Sequence, residues 1–474
     1  MPDMNRLVKP VGLRGASLRG VLGLIMLLPA TVWAGGHTVK VQPPNGIDDT
    51  ANIQGALDAC VGYGRGCTVQ LSAGTYLTKQ LVAYNFRGTF KGMGQDRTTI
   101  EALPNLHVDL EPVGGVPESH CQPNTTTCRW PSLILFVNGD IHVSDLSIFI
   151  TAPPGTATTT WLIAGSPFNG LFDALSFMGQ HVTACIDRIH MEGLPDPTNS
   201  FGFNVVNALH FTGEFPRSLT PWDWYFLSGS LTVRNSSFSS ATLGISQDAF
   251  VKSSRITIGG SPSAGNHFEK GWAGVDMEAN ENSVVEISYN ESSGSIAGMW
   301  VVPWQPVFVP ASPSRYFIHD NRFTGTGQYA EGFYFLDDAA NSWIQAAAWN
   351  NTVELQDTLS EGIGVYNTKG TVIWNNSVTG ADGFDAIGLY SSTLDTVINN
   401  NVSGFTVDGT VGNAQIYLDP STTHDLVVCA ERSDTFLNQG TNNTIIGCQQ
   451  SAASAKGATS AARPNLPRKK LPLR

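Results

Sequence analysis

Asparagine recurs down the second half of this chain at Asn235, Asn266, Asn290, Asn321, Asn351, Asn376, Asn401 and Asn443, in steps of 31, 24, 31, 30, 25, 25 and 42 residues. Such a period marks a repeat architecture, in which each unit buries its apolar residues only by stacking on the next. Each of the first six asparagines is followed, 8 to 11 residues later, by Gly or Ala and then an apolar residue: Gly244-Ile245, Gly274-Val275, Gly298-Met299, Gly332-Phe333, Gly362-Ile363 and Ala386-Ile387. One repeat therefore reads as one coil of a β-solenoid. An Asn at a tight corner can take a left-handed backbone and bond the Asn of the next coil, building a ladder up the stack. Asn235, Asn290, Asn375 and Asn401 also stand in Asn-x-Ser sequons. The shared period favours the ladder over glycan attachment.

Composition agrees with a folded, mainly β chain. Of 474 residues, 41% are hydrophobic and 14% charged, which supports a large core and excludes disorder. One helix is expected, in the segment from Asn45 to Cys60, where Ile53, Ala56, Leu57 and Cys60 share a face behind Asp and Thr capping candidates. Strand-like stretches follow at Thr68–Leu71 and Leu77–Val82. The region from Asp140 to Leu231 repeats poorly, with short strand candidates at Ile141–Ile148 and Cys185–Ile189.

The residues Asp48-Asp49-Thr50, Ile53-Gln54, Ala56-Leu57, Val69, Ala73-Gly74-Thr75-Tyr76, Gly92, Gly94 and Thr99-Ile100 resemble the entry module of pectate-lyase-like proteins. That resemblance implies a right-handed parallel β-helix whose open N-terminal end is capped by the short helix. It leaves the activity open, because lyases, hydrolases, epimerases and phage tailspikes share the fold. Motifs of particular subfamilies, such as Gly-His-Gly, Asp-Pro-His-Asp or Trp-Ile-Asp-His, do not occur.

The ends differ from the body. Arg6, Lys9, Arg14 and Arg19 precede the apolar run Val21–Pro29, and Val32 and Ala34 suit cleavage before Gly35, so residues 1–34 read as a signal peptide and the protein as secreted or extracytoplasmic. Residues 451–474 read as a flexible basic tail. The net charge is −12; the two ends contribute +3 and +6, which leaves −21 on residues 35–450. Such a body repels nucleic acid. Seven cysteines fit export, with Cys60–Cys67, Cys121–Cys128 and Cys429–Cys448 as expected disulfides and Cys185 left over as a buried apolar residue. No spacing supports a zinc site.

Strand alternation supplies a candidate site. If Ile245, Val275, Met299, Phe333, Ile363, Ile387 and Ile416 point into the coil, the outward residues are Ser246 and Asp248, Asp276 and Glu278, Trp300 and Val302, Tyr334 and Leu336, Gly364 and Tyr366, Gly388 and Tyr390, and Tyr417 and Asp419. Carboxylates gather at one end and aromatics at the other. Asp248, Asp276 and Glu278 could supply a general acid and base, with Lys252 or Arg255 as a base or charge partner, or could coordinate Ca²⁺ through oxygen. No cofactor other than Ca²⁺ is suggested. Trp300, Tyr334, Tyr366, Tyr390 and Tyr417 offer flat faces to sugar rings, or form an aromatic ladder that only supports the sheet. The expected partner is a polysaccharide, acted on by a lyase, hydrolase or epimerase type of chemistry, or bound without catalysis as in an adhesion or matrix protein.

Overall fold

The computed structural model describes residues 36–103, 132–151, 161–163, 166–168, 171–196, 202–213, 227–247, 251–278, 280–295, 297–302, 312–326, 330–337, 343–356, 360–380, 384–405 and 414–450. The proposed signal peptide, the basic tail and the Cys121–Cys128 pair lie outside them.

The chain is a right-handed parallel β-helix, entered through the helix Thr50–Tyr63. Ile53, Ala56, Leu57 and Cys60 turn inward, as their spacing predicts. Asp49 stands at the N-cap, but its carboxylate accepts from the backbone N–H of Asn45 (2.9 Å) and of Leu77 (3.3 Å). It ties the helix to the first coil. The Thr50 N–H is bonded by Asp48 instead, and its hydrogen bond to Thr50 holds the Asp48 carboxyl below its ordinary value.

Each coil contributes strands to three faces. The front face stacks Leu243–Gln247, Ala273–Glu278, Ala297–Val302, Glu331–Leu336, Glu361–Tyr366, Asp385–Tyr390 and Ala414–Leu418. Round one corner, the second face stacks Arg255–Gly259, Val284–Ser288, Ser314–His319, Ile344–Trp349, Val372–Trp374, Thr396–Ile398, Leu426–Val428 and Thr444–Ile446. The third face includes His267–Glu269, Glu291–Ser295, Arg322–Gly325, Thr352–Leu355, Ser377–Thr379 and Asn401–Ser403. Neighbouring rungs pair in parallel, as in Val275↔Met299 and Met299↔Phe333. Ile245, Val275, Phe333, Ile363, Ile387 and Ile416 are at most 1% exposed and form one continuous core. Each buried side chain of this size contributes about 1.5–3 kcal/mol.

The poorly repeating region contains the longest strands, Ser132–Phe149 and Leu171–Glu192, which run through the corners without a break. Their bends fall at Asn138, Asp145 and Arg188, all with φ between 53° and 60°. The short strands expected there are parts of these two.

The corners refine the asparagine reading. The left-handed backbone and the ladder hydrogen bond belong to adjacent residues, not to one. Asp320, Asn350, Asn375 and Asn399 take φ of 54–55° and lie at the surface or near it. Asn321, Asn351, Asn376 and Asn400, one residue later, are buried and form the ladder together with Asn266 and Asn290. Each side-chain Nδ2 donates to the Oδ1 of the next Asn at 2.9–3.0 Å, and that Oδ1 also accepts the backbone N–H below it. Asn400, not Asn401, is the rung, and Ser236, not Asn235, meets Asn266. Asn443 belongs to the opposite corner, where its Oδ1 accepts from the Asp425 N–H at 3.0 Å, which explains the step of 42.

Disulfides join Cys60 to Cys67 and Cys429 to Cys448. Cys185 is half-buried on the outward side of its strand, in register with His142 and Thr232, and not in the core as expected. Burial raises its thiol pKa. Among the described residues no helix is long and apolar enough to cross a membrane.

Candidate functional site

Three outward rows run up the front face. The first is Ser132, Asp173, Asn207, Leu243, Ala273, Ala297, Glu331, Glu361, Asp385 and Ala414, each in register with the next. The second, three residues on, is Leu135, Ser176, His210, Ser246, Asp276, Trp300, Tyr334, Gly364, Gly388 and Tyr417. The third, two residues further, includes Met178, Thr212, Glu278, Val302, Leu336, Tyr366 and Tyr390. The expected register thus holds, with Asp276 directly beside Trp300.

The acidic end is more enclosed than outward pointing alone implies. Asp276 is 0% and Glu278 3% exposed. Asp248 lies outside the described residues. Lys252 stands beyond the end of the front strand and pairs with Glu281 at 2.7 Å. Arg255 opens a strand of the second face, past the corner at Ser253 (φ 50°), and stands exposed there rather than in the rows with Asp276 and Glu278. Among the described residues no group of three or more His, Cys, Asp or Glu is arranged to hold a metal ion.

The aromatic end is a continuous stack. Trp272, Trp300, Tyr334, Tyr366, Tyr390 and Tyr417 follow one another with ring centroids 4.3–5.5 Å apart. The stack moves between rows: Tyr334 registers with Gly364, while Tyr366 and Tyr390 lie two residues on and fold back over Gly364 and Gly388. A Cβ at Gly388 would meet the Tyr390 ring at 2.4 Å, so only glycine leaves room for it. Tyr366 OH donates to Glu361 at 2.7 Å, Tyr390 OH to Asp385 at 2.5 Å, and Trp300 Nε1 to Glu331 at 3.1 Å. The Tyr366 and Tyr390 planes differ by 8°, so these rings cover each other's faces. Trp300 and Tyr334 are tilted by 34° and half-buried, and keep more of their surface for a ligand.

The sequence reading missed a polar cluster on the same rows, two rungs before Asp276. His210 Nδ1 lies 3.1 Å from Asp173 Oδ2, Asn207 Nδ2 donates to Asp173 Oδ1 at 2.9 Å, and Ser176 Oγ also bonds Asp173. All four are buried. A signal existed: Asp173-Ala-Leu-Ser-Phe and Asn207-Ala-Leu-His-Phe share the frame of Asp385-Ala-Ile-Gly-Leu, without the corner Asn that marks the later coils. The acids Glu331, Glu361 and Asp385 were missed for a different reason. They precede the inward residue of each strand, and only residues after it were counted as outward.

No family model and no curated protein matches this chain. Solved structures do. The tailspike protein of Escherichia coli bacteriophage HK620, solved as a mutant with a pentasaccharide, is similar over 88% of this chain and 75% of its own, at 12% identity and a TM-score of 0.53. The catalytic unit of an α-1,3-glucanase from Streptomyces thermodiastaticus covers 87% and 69% at 14% identity and a TM-score of 0.46. The A-module of a mannuronan C-5 epimerase from Azotobacter vinelandii covers 86% and 94% at 14% identity and a TM-score of 0.45. At these identities the likeness is one of architecture, and what this chain shares with the pectate-lyase-like proteins is their right-handed parallel β-helix.

Proposed function

We propose that this protein is a secreted, carbohydrate-active β-helix protein that seats a polysaccharide along its front face. One observation carries the reading: the outward rows pass without a break from buried polar and titratable groups, at Asp173, His210, Asp276 and Glu278, to half-buried aromatics, at Trp300 and Tyr334. Aromatics that grip apolar sugar faces beside groups able to bond hydroxyls and move protons are what a glycan site requires. The printed subjects of the similar structures, a pentasaccharide-bound tailspike, a glucanase and an epimerase, agree with this reading. In the catalytic version Asp276 and Glu278 act as acid and base, and Asp248 joins them. Their enclosure favours a second reading, in which the face binds without turning over and Tyr366, Tyr390 and Tyr417 only brace the sheet.

The test is a panel of pectin, alginate and glucan, assayed for binding and for unsaturated or reducing ends, with Trp300→Ala beside the unaltered chain. We expect Trp300→Ala to weaken binding by about 1 kcal/mol or more and to leave the unfolding midpoint nearly unchanged. Unaltered binding with a lowered midpoint would reduce the aromatic end to a structural ladder. Binding without product would leave the second reading.

A further inference from the structure

The third face carries its own arrangement of reactive groups, away from the front rows. There Ser237–Ser239 lies between the end of the long strand Leu171–Glu192 and the strand His267–Glu269. Ser237 is in register with His190 on one side and His267 on the other, and Ser239 with Glu192. Met191 and Phe238 point into the core, so strand alternation turns His190, Glu192 and Ser237 outward. Ser237 Oγ lies 2.7 Å from His190 Nδ1, and His190 Nε2 lies 3.5 Å from Glu192 Oε2.

A hydroxyl is a weak nucleophile unless a base stands ready for its proton and a third group orients that base. Here the three stand in that order. The Glu192 carboxylate only accepts, so it selects the tautomer with hydrogen on Nε2 and leaves the Nδ1 lone pair to accept the Ser237 Oγ–H. Phe149 meets the imidazole edge-on, with centroids 5.6 Å apart and planes at 88°, and braces the ring. His267 faces Glu269 at 3.9 Å and Glu291 at 3.8 Å, and in either protonation state it carries a ring N–H beside Ser237. The His190 and Glu192 side chains are 26% and 41% exposed and Ser237 is half-buried, so a small substrate can reach them.

We propose that Ser237, His190 and Glu192 form an acyl-transfer site that hydrolyses small carboxylic esters of the O-acetyl type, independently of the front face. Ser237 Oγ attacks the ester carbonyl carbon and its proton passes to His190 Nδ1. The bond to the alcohol oxygen then breaks, and the leaving alcohol takes that proton. Water adds to the acyl-serine, giving a proton to Nδ1, which returns it to Ser237 Oγ as the carboxylic acid departs. His267 donates to the carbonyl oxygen while it bears negative charge. Ser237 and His190 are the catalytic residues, and Glu192 is a positioning residue.

The experiment treats the full chain with a fluorophosphonate probe, locates the label by peptide mass spectrometry, and follows hydrolysis of p-nitrophenyl acetate. Ser237 should carry the label, and Ser237→Ala should lose both label and turnover. His190→Gln should lower kcat/KM and the labelling rate about a hundredfold, the usual share of a general base. Glu192→Gln should lower kcat about tenfold and leave KM in place, since it acts on the base and not on the ester. His267→Ala should cost about tenfold. All four positions lie at or near the surface, so the unfolding midpoint should not move and each loss reads as chemistry. A label on another residue, no label at all, or undiminished hydrolysis in Ser237→Ala would overturn the site. An unchanged kcat in Glu192→Gln would overturn the three-residue arrangement. Neither result bears on glycan binding at Trp300.

Discussion

Two corners of the same coil solve one problem with different chemistry. At one, the rungs are asparagines from Asn266 to Asn400. At the other, in the last coils, Asp395 accepts the N–H of Thr371 at 2.7 Å, Asp425 that of Asp395 at 2.8 Å, and Asn443 that of Asp425. Each rung must accept the backbone N–H below it. An amide does so and also donates along the stack, so the asparagine ladder is neutral and closes on itself. A carboxylate only accepts, and draws its second bond from a hydroxyl: Thr368 for Asp395, Ser392 for Asp425. The same geometry then carries a titratable charge in a dry place. Burial first, and next to it the neighbouring carboxylate, pushes Asp395 up to about 7 against its donors, and burial pushes Asp425 up to about 6.

The largest expected effect breaks the neutral corner. Asn321→Ala removes bonds to Asn290, Asn351 and Ile287 and strands the Asn290 N–H in the interior. We expect a loss of about 3–5 kcal/mol, read from denaturant unfolding, since each buried group left unbonded costs about 1–3 kcal/mol. A loss under about 1 kcal/mol would mean that the ladder follows the coil rather than supporting it.

The acidic corner should respond to pH instead. The folded state keeps protons that an unfolded carboxyl releases near 3.8, so their contribution is complete below that pH and is lost as pH rises through about 6 and 7. Between pH 4 and 8 the last coils should lose several kcal/mol of stability, in the direction these raised values set. Asp395→Asn with Asp425→Asn should flatten that slope. Hydrogen exchange at Val427 and Leu418, followed across the range, measures it directly. A slope unchanged in the double variant would assign the pH response to other groups.

The smallest effect sharpens the separation of corner conformation from ladder bonding. Asn375, at φ 54°, is exposed and bonds Asn350 and Asn399 only at the surface. Asn375→Gly should stay within about 0.5 kcal/mol of the parent, whereas Asn375→Ala should cost about 1 kcal/mol for the left-handed backbone. Equal costs would show that the surface bonds, not the backbone, hold this position.

Much of this was legible in the residues, for identifiable reasons. The period of Asn, Gly and apolar residues is imposed by the stack itself, so the coil and the outward register from Ser246 to Tyr417 followed from spacing, while the cap followed from the resemblance of the segment from Asp48 to Ile100 to the pectate-lyase-like entry module. The ladder rungs from Asn266 to Asn376 were legible, whereas the left-handed position and the rungs expected at Asn235 and Asn401 came out one residue off, because Asn suits both positions and adjacent asparagines such as Asn375-Asn376 and Asn399-Asn400 blur the two. Burial of Asp276 and Glu278 was not legible, since strand alternation gives the direction of a side chain and not its exposure. Asp173 and His210 were hidden because the coils that carry them lack the periodic corner Asn, so no repeat was there to count from.

Coil steps of 24 to 31 residues all deliver the same rung, because parallel pairing sets the spacing at about 4.8 Å whatever the connection contains. The consequence concerns how such a chain can vary. A lengthened or shortened turn changes the walls of the front face and leaves its floor in place, so Asp276 still meets Trp300. One residue inserted within a strand would exchange inside for outside along the rest of that rung, placing Trp300 in the core and Met299 in water. Indels should therefore be tolerated between strands and excluded within them, and variation in ligand preference should accumulate in the turns while the rows persist.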